Sequence, residues 1–205
     1  MLFTDTVQPA TLELLKGIMA IPDLADFTLA GGTALALQIG HRMSYDLDFF
    51  GSKVLDKYEL IDLLNDLGEI KLLSQSKNII VLSINSIKVD FVNYKYPFLE
   101  SIKKKQDIRL SGLKDICAMK HAAISGRGRK RDFFDIFFLL NHYSLEDQLS
   151  FYNEKYLDGS VFLVLKSLSY FEDADQDEEL MLLSPVKWEF VKSKIQTEVM
   201  KIMEK

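Results

Sequence analysis

LAGGTALALQIGHRMSYDLDFF, residues 29–50, is the stretch on which the reading of the whole chain turns. A short apolar run over 27–30 meets Gly31-Gly32, a helical pattern follows over 33–39, and a strand-like run over 45–50 carries two aspartates separated by one leucine. In an extended strand, residues two apart share a face, so Asp46 and Asp48 project together while Leu47 and Phe49 face the core. By itself such a pair also suits a solvated strand edge. The glycines ahead of it add a second element: lacking Cβ atoms, they let backbone N–H groups approach an anion closely, and the helix start and the Thr33 hydroxyl supply further donors. Taken alone, that turn is also an ordinary strand-to-helix connection. Together, an anion seat at Gly31, Gly32 and Thr33 and a carboxylate pair set a triphosphate beside its metal ion, as two-metal phosphoryl and nucleotidyl transfer require.

The pattern extends outward from there. Residues 78–84 and 87–94 are rich in Val and Ile and flank Asn85-Ser86, which predicts a β-hairpin. On its second strand Lys88, Asp90 and Val92 share one face, so Asp90 joins Asp46 and Asp48 if the two strands are neighbours. Two unit charges about 4 Å apart at an effective dielectric near 20 repel by about 4 kcal/mol, so such a cluster either protonates or holds a cation. All-oxygen ligands favour Mg²⁺ or Mn²⁺.

From Leu113 the period turns helical through Ile124, breaks at SGRGRK, and resumes from Asp132 to His142. Lys120 falls on the stripe of Leu113, Ile116, Cys117 and Ile124, where an apolar residue is expected; it either meets an anion or snorkels to the helix edge. Arg127, Arg129, Lys130 and Arg131 form a basic loop ending in Asp132, which reads as the N-cap of the next helix. That helix, DFFDIFFLL, is apolar nearly all round, so Asp135 is forced inward and needs a loop arginine or the metal site as partner. Three more helices are expected over 145–205, the last opening at Ser184-Pro185. The acidic run EDADQDEE between them has Glu178 in place of the turn glycine of a calcium loop, and reads as a solvated loop. Pro9–Ala20 and 55–67 read as amphipathic helices.

The totals bound the class. At 205 residues and 48% hydrophobic, the chain folds with a substantial core. A net charge of -5 argues against a surface given over wholly to nucleic acid, though not against a local basic patch such as Lys103–Lys105. A single cysteine, Cys117, excludes an internal disulfide and suits a reducing cytoplasm, and three scattered histidines make no zinc spacing. No apolar run reaches the ~20 residues of a membrane span, and the first residues show no basic leader pattern. Strands precede helices, giving an α+β class with an amino-terminal half over 1–110 and a helical half over 111–205.

Three stretches in order, GGTALALQIGHRMSYDLDFF, KVDFVNYKYP and LKDICAMKHAAISGRGRKRDFFDIFFLL, closely resemble the AbiEii/AbiGii abortive-infection toxin family of nucleotidyltransferases. The resemblance implies a nucleotidyltransferase-like mixed β-sheet flanked by helices, then a C-terminal helical bundle contributing to the active site. It implies Gly31, Gly32 and Thr33 as the phosphate-binding turn, Asp46 and Asp48 as the metal pair, and Asp90 as a third carboxylate. Lys120 would be the lysine of the third motif, with Arg131, Asp132 and Asp135 contacting the triphosphate and preparing the acceptor. It also implies an NTP substrate and a cognate antitoxin. The acceptor, an RNA such as the end of a tRNA or a protein side chain, stays open, as does the choice of Asp90 or Asp135 as general base. The competing readings are a non-catalytic nucleotide- or partner-binding module and a kinase-like phosphotransferase on the same scaffold.

Overall fold

A computed structural model of the chain describes residues 1–54 and 56–204. It divides into two compact units, Met1–Tyr96 with Ser101–Ser111, and Pro97–Glu100 with Gly112–Lys205.

The first unit opens on α1 (Pro9–Ala20), where Pro9 stands in the first turn and Leu14, Leu15, Ile18 and Met19 make the buried face. β1 (Thr28–Ala30) runs without a break into α2 (Gly31–Ile39), which ends on Gly40 at φ 69°. β2 (Leu47–Gly51) alternates buried and half-buried residues, so Leu47 and Phe49 face the core. α3 (Lys57–Leu64) is capped by Asp56, whose carboxylate accepts from the Tyr58 and Glu59 amides; Leu55, the expected start of this helix, lies outside the described residues.

β3 (Ile70–Gln75), β4 (Ile79–Ile84) and β5 (Ile87–Asn93) follow, then β6 (Lys103–Lys105) and β7 (Ile108–Leu110). The expected hairpin is β4–β5; Asn85 and Ser86 both adopt positive φ, 49° and 67°, as a tight two-residue turn demands. The strands form one mixed sheet in the order β3-β4-β5-β2-β1-β7-β6. β2 pairs antiparallel with β1 and parallel with β5, and β1 pairs parallel with β7. The core lies against Leu29, Leu35, Leu37, Leu47, Phe49, Leu82, Val89 and Phe91.

The second unit is helical: α4 (Leu113–Gly126), α5 (Lys130–Leu139), α6 (Leu145–Lys155), α7 (Val161–Leu168), α8 (Glu172–Asp175) and α9 (Trp188–Met203). Its core gathers Ile116, Ile124, Phe133, Phe134, Leu149, Val164, Val191 and Ile195, with the Trp188 ring against Phe133, Phe134 and Phe171. Three local expectations are corrected. α5 begins at Lys130 on Arg129, so Asp132 lies inside the first turn rather than capping it. α9 starts at Trp188, not at Ser184-Pro185. The acidic run is solvated as expected but is not all loop: it opens as α8, Asp175 accepts from Trp188 Nε1 and Lys192, and Asp177 from Arg129 and the Lys130 amide. No helix among the described residues is long and apolar enough to cross a membrane.

Candidate active site

The junction of β1 and α2 builds the site in the first unit. Gly31 takes φ 65°, a left-handed conformation in which a side chain is strained, and a Cβ there would collide with Asp48 Oδ2. The carboxylate of Asp48 therefore packs directly against the first residue of α2. Ala30, the N-cap residue, lends no side chain to cap the opening turn. Arg42, buried, closes in from the other side: a Cβ on Gly32 would lie 2.6 Å from its Nη2. Its Nη1 donates to the Met43 carbonyl at 2.9 Å. The buried Thr33 hydroxyl donates to the Asp46 carbonyl and lies 2.9 Å from Ser44 Oγ, which fixes the approach to β2. Thr33 thus holds the strand entry from which Asp46 and Asp48 project.

Asp48 and Asp90 are register partners on the parallel pair β2–β5, so their side chains stand abreast on one face. Asp46 precedes β2 instead of lying within it. Asp90 Oδ2 takes the Lys88 ammonium at 2.6 Å, while Asp90 Oδ1 is buried without a hydrogen-bond partner. Among the described residues, no three His, Cys, Asp or Glu side chains are gathered as a ready metal site. Of the expected trio Asp46, Asp48 and Asp90, the strand register sets Asp48 and Asp90 side by side, and Lys88 holds Asp90.

Lys120, Asp132 and Asp135 meet within the helical unit. Lys120 Nζ lies 2.8 Å from Asp132 Oδ1 and 2.5 Å from Asp135 Oδ2, and both carboxylates are fully buried. Arg127 Nε adds a third contact at 3.1 Å to Asp132 Oδ2. Burial pushes the Asp132 carboxyl up, but the charges of Lys120 and Arg127 outweigh it and hold the group below the usual carboxylate range. The anion that Lys120 meets is therefore this pair, and the inward partner of Asp135 is Lys120. Arg131, by contrast, is exposed on the first turn of α5.

The sequence pattern leaves Arg42 and Ser44 unmarked, and it sets Lys88 and Asp90 on one face without pairing them. That pairing was within reach, since residues two apart in a strand share a face; the polar run 41–44 has no period to announce it.

The family described as the nucleotidyl transferase AbiEii toxin, type IV toxin–antitoxin system, matches residues 13–201. The chain belongs to this family. A relative in Aquifex aeolicus (strain VF5), the uncharacterized protein aq_aa25, is 37% identical to this AbiEii chain over 171 residues, covering 80% of it and 83% of the relative. Among solved structures, MenT4, the nucleotidyltransferase toxin Rv2826c of Mycobacterium tuberculosis H37Rv, resembles it with TM-score 0.60 at 14% identity. That alignment covers 96% of this chain and 84% of the other. JHP933 from Helicobacter pylori does so with TM-score 0.58 at 18% identity, covering 95% and 89%. At such identities the likeness shows the fold: the mixed sheet with flanking helices is that of nucleotidyltransferase toxins.

Proposed function

We propose that this AbiEii-family chain transfers the nucleotidyl group of an NTP to an acceptor hydroxyl, the new P–O bond forming at the α-phosphorus as the bond to the departing pyrophosphate breaks, with Mg²⁺ or Mn²⁺, as the toxin partner of a cognate antitoxin. The observation that carries the reading is the Asp48 carboxylate packed on Gly31 at the opening of α2, where the N-cap residue Ala30 has no capping side chain, with Asp90 abreast of it. A helix start offers backbone donors to phosphate oxygens, and a carboxylate beside it would repel a bare triphosphate. The pairing makes chemical sense when a cation stands between the two.

The residues fit a hard divalent ion. The donor set is all oxygen, and Asp90 Oδ1 is a buried carboxylate oxygen that no protein group satisfies. Asp46, Asp48 and Asp90 would hold the ion, which when bound would neutralise the triphosphate and lower the barrier to attack at the α-phosphorus. The chain's own part is positional. The amides of Gly32 and Thr33 receive phosphate oxygens, and the Thr33 hydroxyl locks the strand entry that aims Asp46 and Asp48. Asp90, abreast of Asp48, is the carboxylate assigned to take the proton of the acceptor hydroxyl. RNA and protein side chains are both acceptors to test; the exposed Lys104 and Lys105 on edge strand β6 provide basic surface for the former.

The test uses purified full-length protein, Mg²⁺, each NTP labelled at the α or the γ phosphate, and total RNA or cell protein. Retention of the α label on an acceptor supports the reading; movement of the γ label alone assigns a kinase-like transfer. Tight NTP binding with no transfer assigns a binding module. Asp48→Asn should reduce transfer by at least about a hundredfold, because ion-bridged charge stabilisation is worth several kcal/mol. Lys120→Met is a poor probe of catalysis, since it leaves Asp132 and Asp135 buried with one cation fewer.

A further inference from the structure

Lys88 has no part in the chemistry described so far, yet it occupies the third carboxylate. It stands two residues before Asp90 on β5, so both side chains leave the same face of the strand. Its ammonium lies 2.6 Å from Asp90 Oδ2, a charge-assisted hydrogen bond, while Oδ1 of the same carboxylate is buried and unsatisfied. Asp48 is the register partner of Asp90 on the neighbouring strand. Two carboxylates abreast repel, and the Lys88 ammonium offsets the charge of Asp90. The exposures differ in a telling direction: the Lys88 side chain is 43% exposed and that of Asp90 only 19%. The lysine reaches in from solvent on a flexible four-carbon stem and can withdraw to solvent, whereas the aspartate stays where the strand puts it.

We infer that Lys88 is the resident counter-ion of Asp90, neutralising it until a divalent cation arrives and then yielding Oδ2, so that this lysine sets how tightly the protein holds the metal. The inference rests on the nucleotidyl-transfer reading and adds to it a positioning residue. Ammonium and metal compete for the same carboxylate, and an ion that takes Oδ2 as well as Oδ1 breaks a charge-assisted hydrogen bond. The lysine also spares the metal-free protein the burial of an uncompensated charge. Removing the ammonium leaves Asp90 without its counter-ion, to be compensated by the metal alone, which at a partly exposed site corresponds to about tenfold in affinity. Arginine keeps the positive charge and so keeps the competition.

Mn²⁺ alone is titrated into the full-length protein and free Mn²⁺ is counted by electron paramagnetic resonance, a readout independent of turnover. Lys88→Gln is expected to bind Mn²⁺ about tenfold more tightly than wild type. Lys88→Arg should stay near wild type, and Asp48→Asn should weaken binding in every background. Equal or weaker binding by Lys88→Gln, with the Asp48→Asn loss intact, overturns the counter-ion and leaves the metal reading standing. Tightening in both the Gln and the Arg variants overturns it too, because the charge would then be irrelevant. No Mn²⁺ binding by wild type or by Lys88→Gln overturns both readings together.

Discussion

His121 shows how a single buried ring can make the fold pH-sensitive. It is fully buried on α4, its Nε2 3.0 Å from Gln148 Oε1, and Gln148 Nε2 in turn donates to the Tyr143 carbonyl at 3.1 Å. Burial pushes its pKa down from 6.5 to about 4, against a smaller upward pull from the Gln148 contact. The unfolded chain takes up this proton near pH 6.5 and the native chain near pH 4. Between those values the unfolded state binds more protons, so stability is fully present above the unfolded pKa and is lost as pH falls. The loss amounts to about 3 kcal/mol once pH has dropped below the native pKa. Urea unfolding at a series of pH values from 7.5 to 4 checks this: His121→Gln should show a shallower decline than wild type. Parallel curves for the two proteins would rule the histidine out as the source.

At the scale of elements, a strand of only three residues ties several others together. β7 has three residues, and Arg109 at its centre donates through Nε to the Phe27 carbonyl at 2.9 Å, through Nη1 to Met19 at 2.9 Å and through Nη2 to Leu24 at 3.1 Å. One guanidinium thus gathers the end of α1, the turn Pro22–Leu24 and the entry to β1, the strand that feeds the glycine turn. Arg109→Met should destabilise the protein by about 2–4 kcal/mol, since three carbonyls lose a charged donor. Arg109→Lys should recover only part of this, because an ammonium cannot fork to the same three oxygens. Thermal and urea unfolding read both. The sequence shows no trace of this clamp, for a three-residue strand is too short to display a period. β3 and β6 are equally hard to read: IKLLSQ is exposed nearly throughout and β6 is three lysines, so neither alternates. What is legible is long or chemically forced. Pro9–Ala20 shows its stripe, Asn85-Ser86 its tight turn, and Asp48 and Asp90 need only the two-residue period and adjacent strands. Lys120 on an apolar stripe and Asp135 in an apolar helix each advertise a buried partner; that they partner each other is a tertiary fact. Asp132 has the chemistry of a cap, but the N-cap position falls on Arg129, three residues before it.

At the scale of the whole molecule, the chain changes unit three times, at Pro97, Ser101 and Gly112, so neither half of the sequence is a self-contained piece. The visit of Pro97–Glu100 to the helical unit is secured by a buried ion pair. Asp115 accepts from the Leu99 and Glu100 amides at 2.8 and 3.1 Å, and Lys155 donates to the Pro97 carbonyl and to Asp115, both at 2.7 Å. Both side chains are fully buried. Burial outweighs the attraction of Asp115 and holds the Lys155 ammonium below the ordinary lysine range, which marks the cation as the costly member of the pair. Removing either charge strands the other, so Asp115→Asn and Lys155→Met should each destabilise the protein by about 3–5 kcal/mol. The double variant buries no lone charge and keeps an amide oxygen for one of the two backbone donors, so its cost should fall short of the sum of the single costs by about 1–3 kcal/mol. Urea unfolding of the four proteins closes this cycle, and hydrogen exchange at Leu99 and Glu100 should quicken in both single variants. Strictly additive losses, or exchange at those two amides unchanged from wild type, would mean that the pair does not fasten this segment.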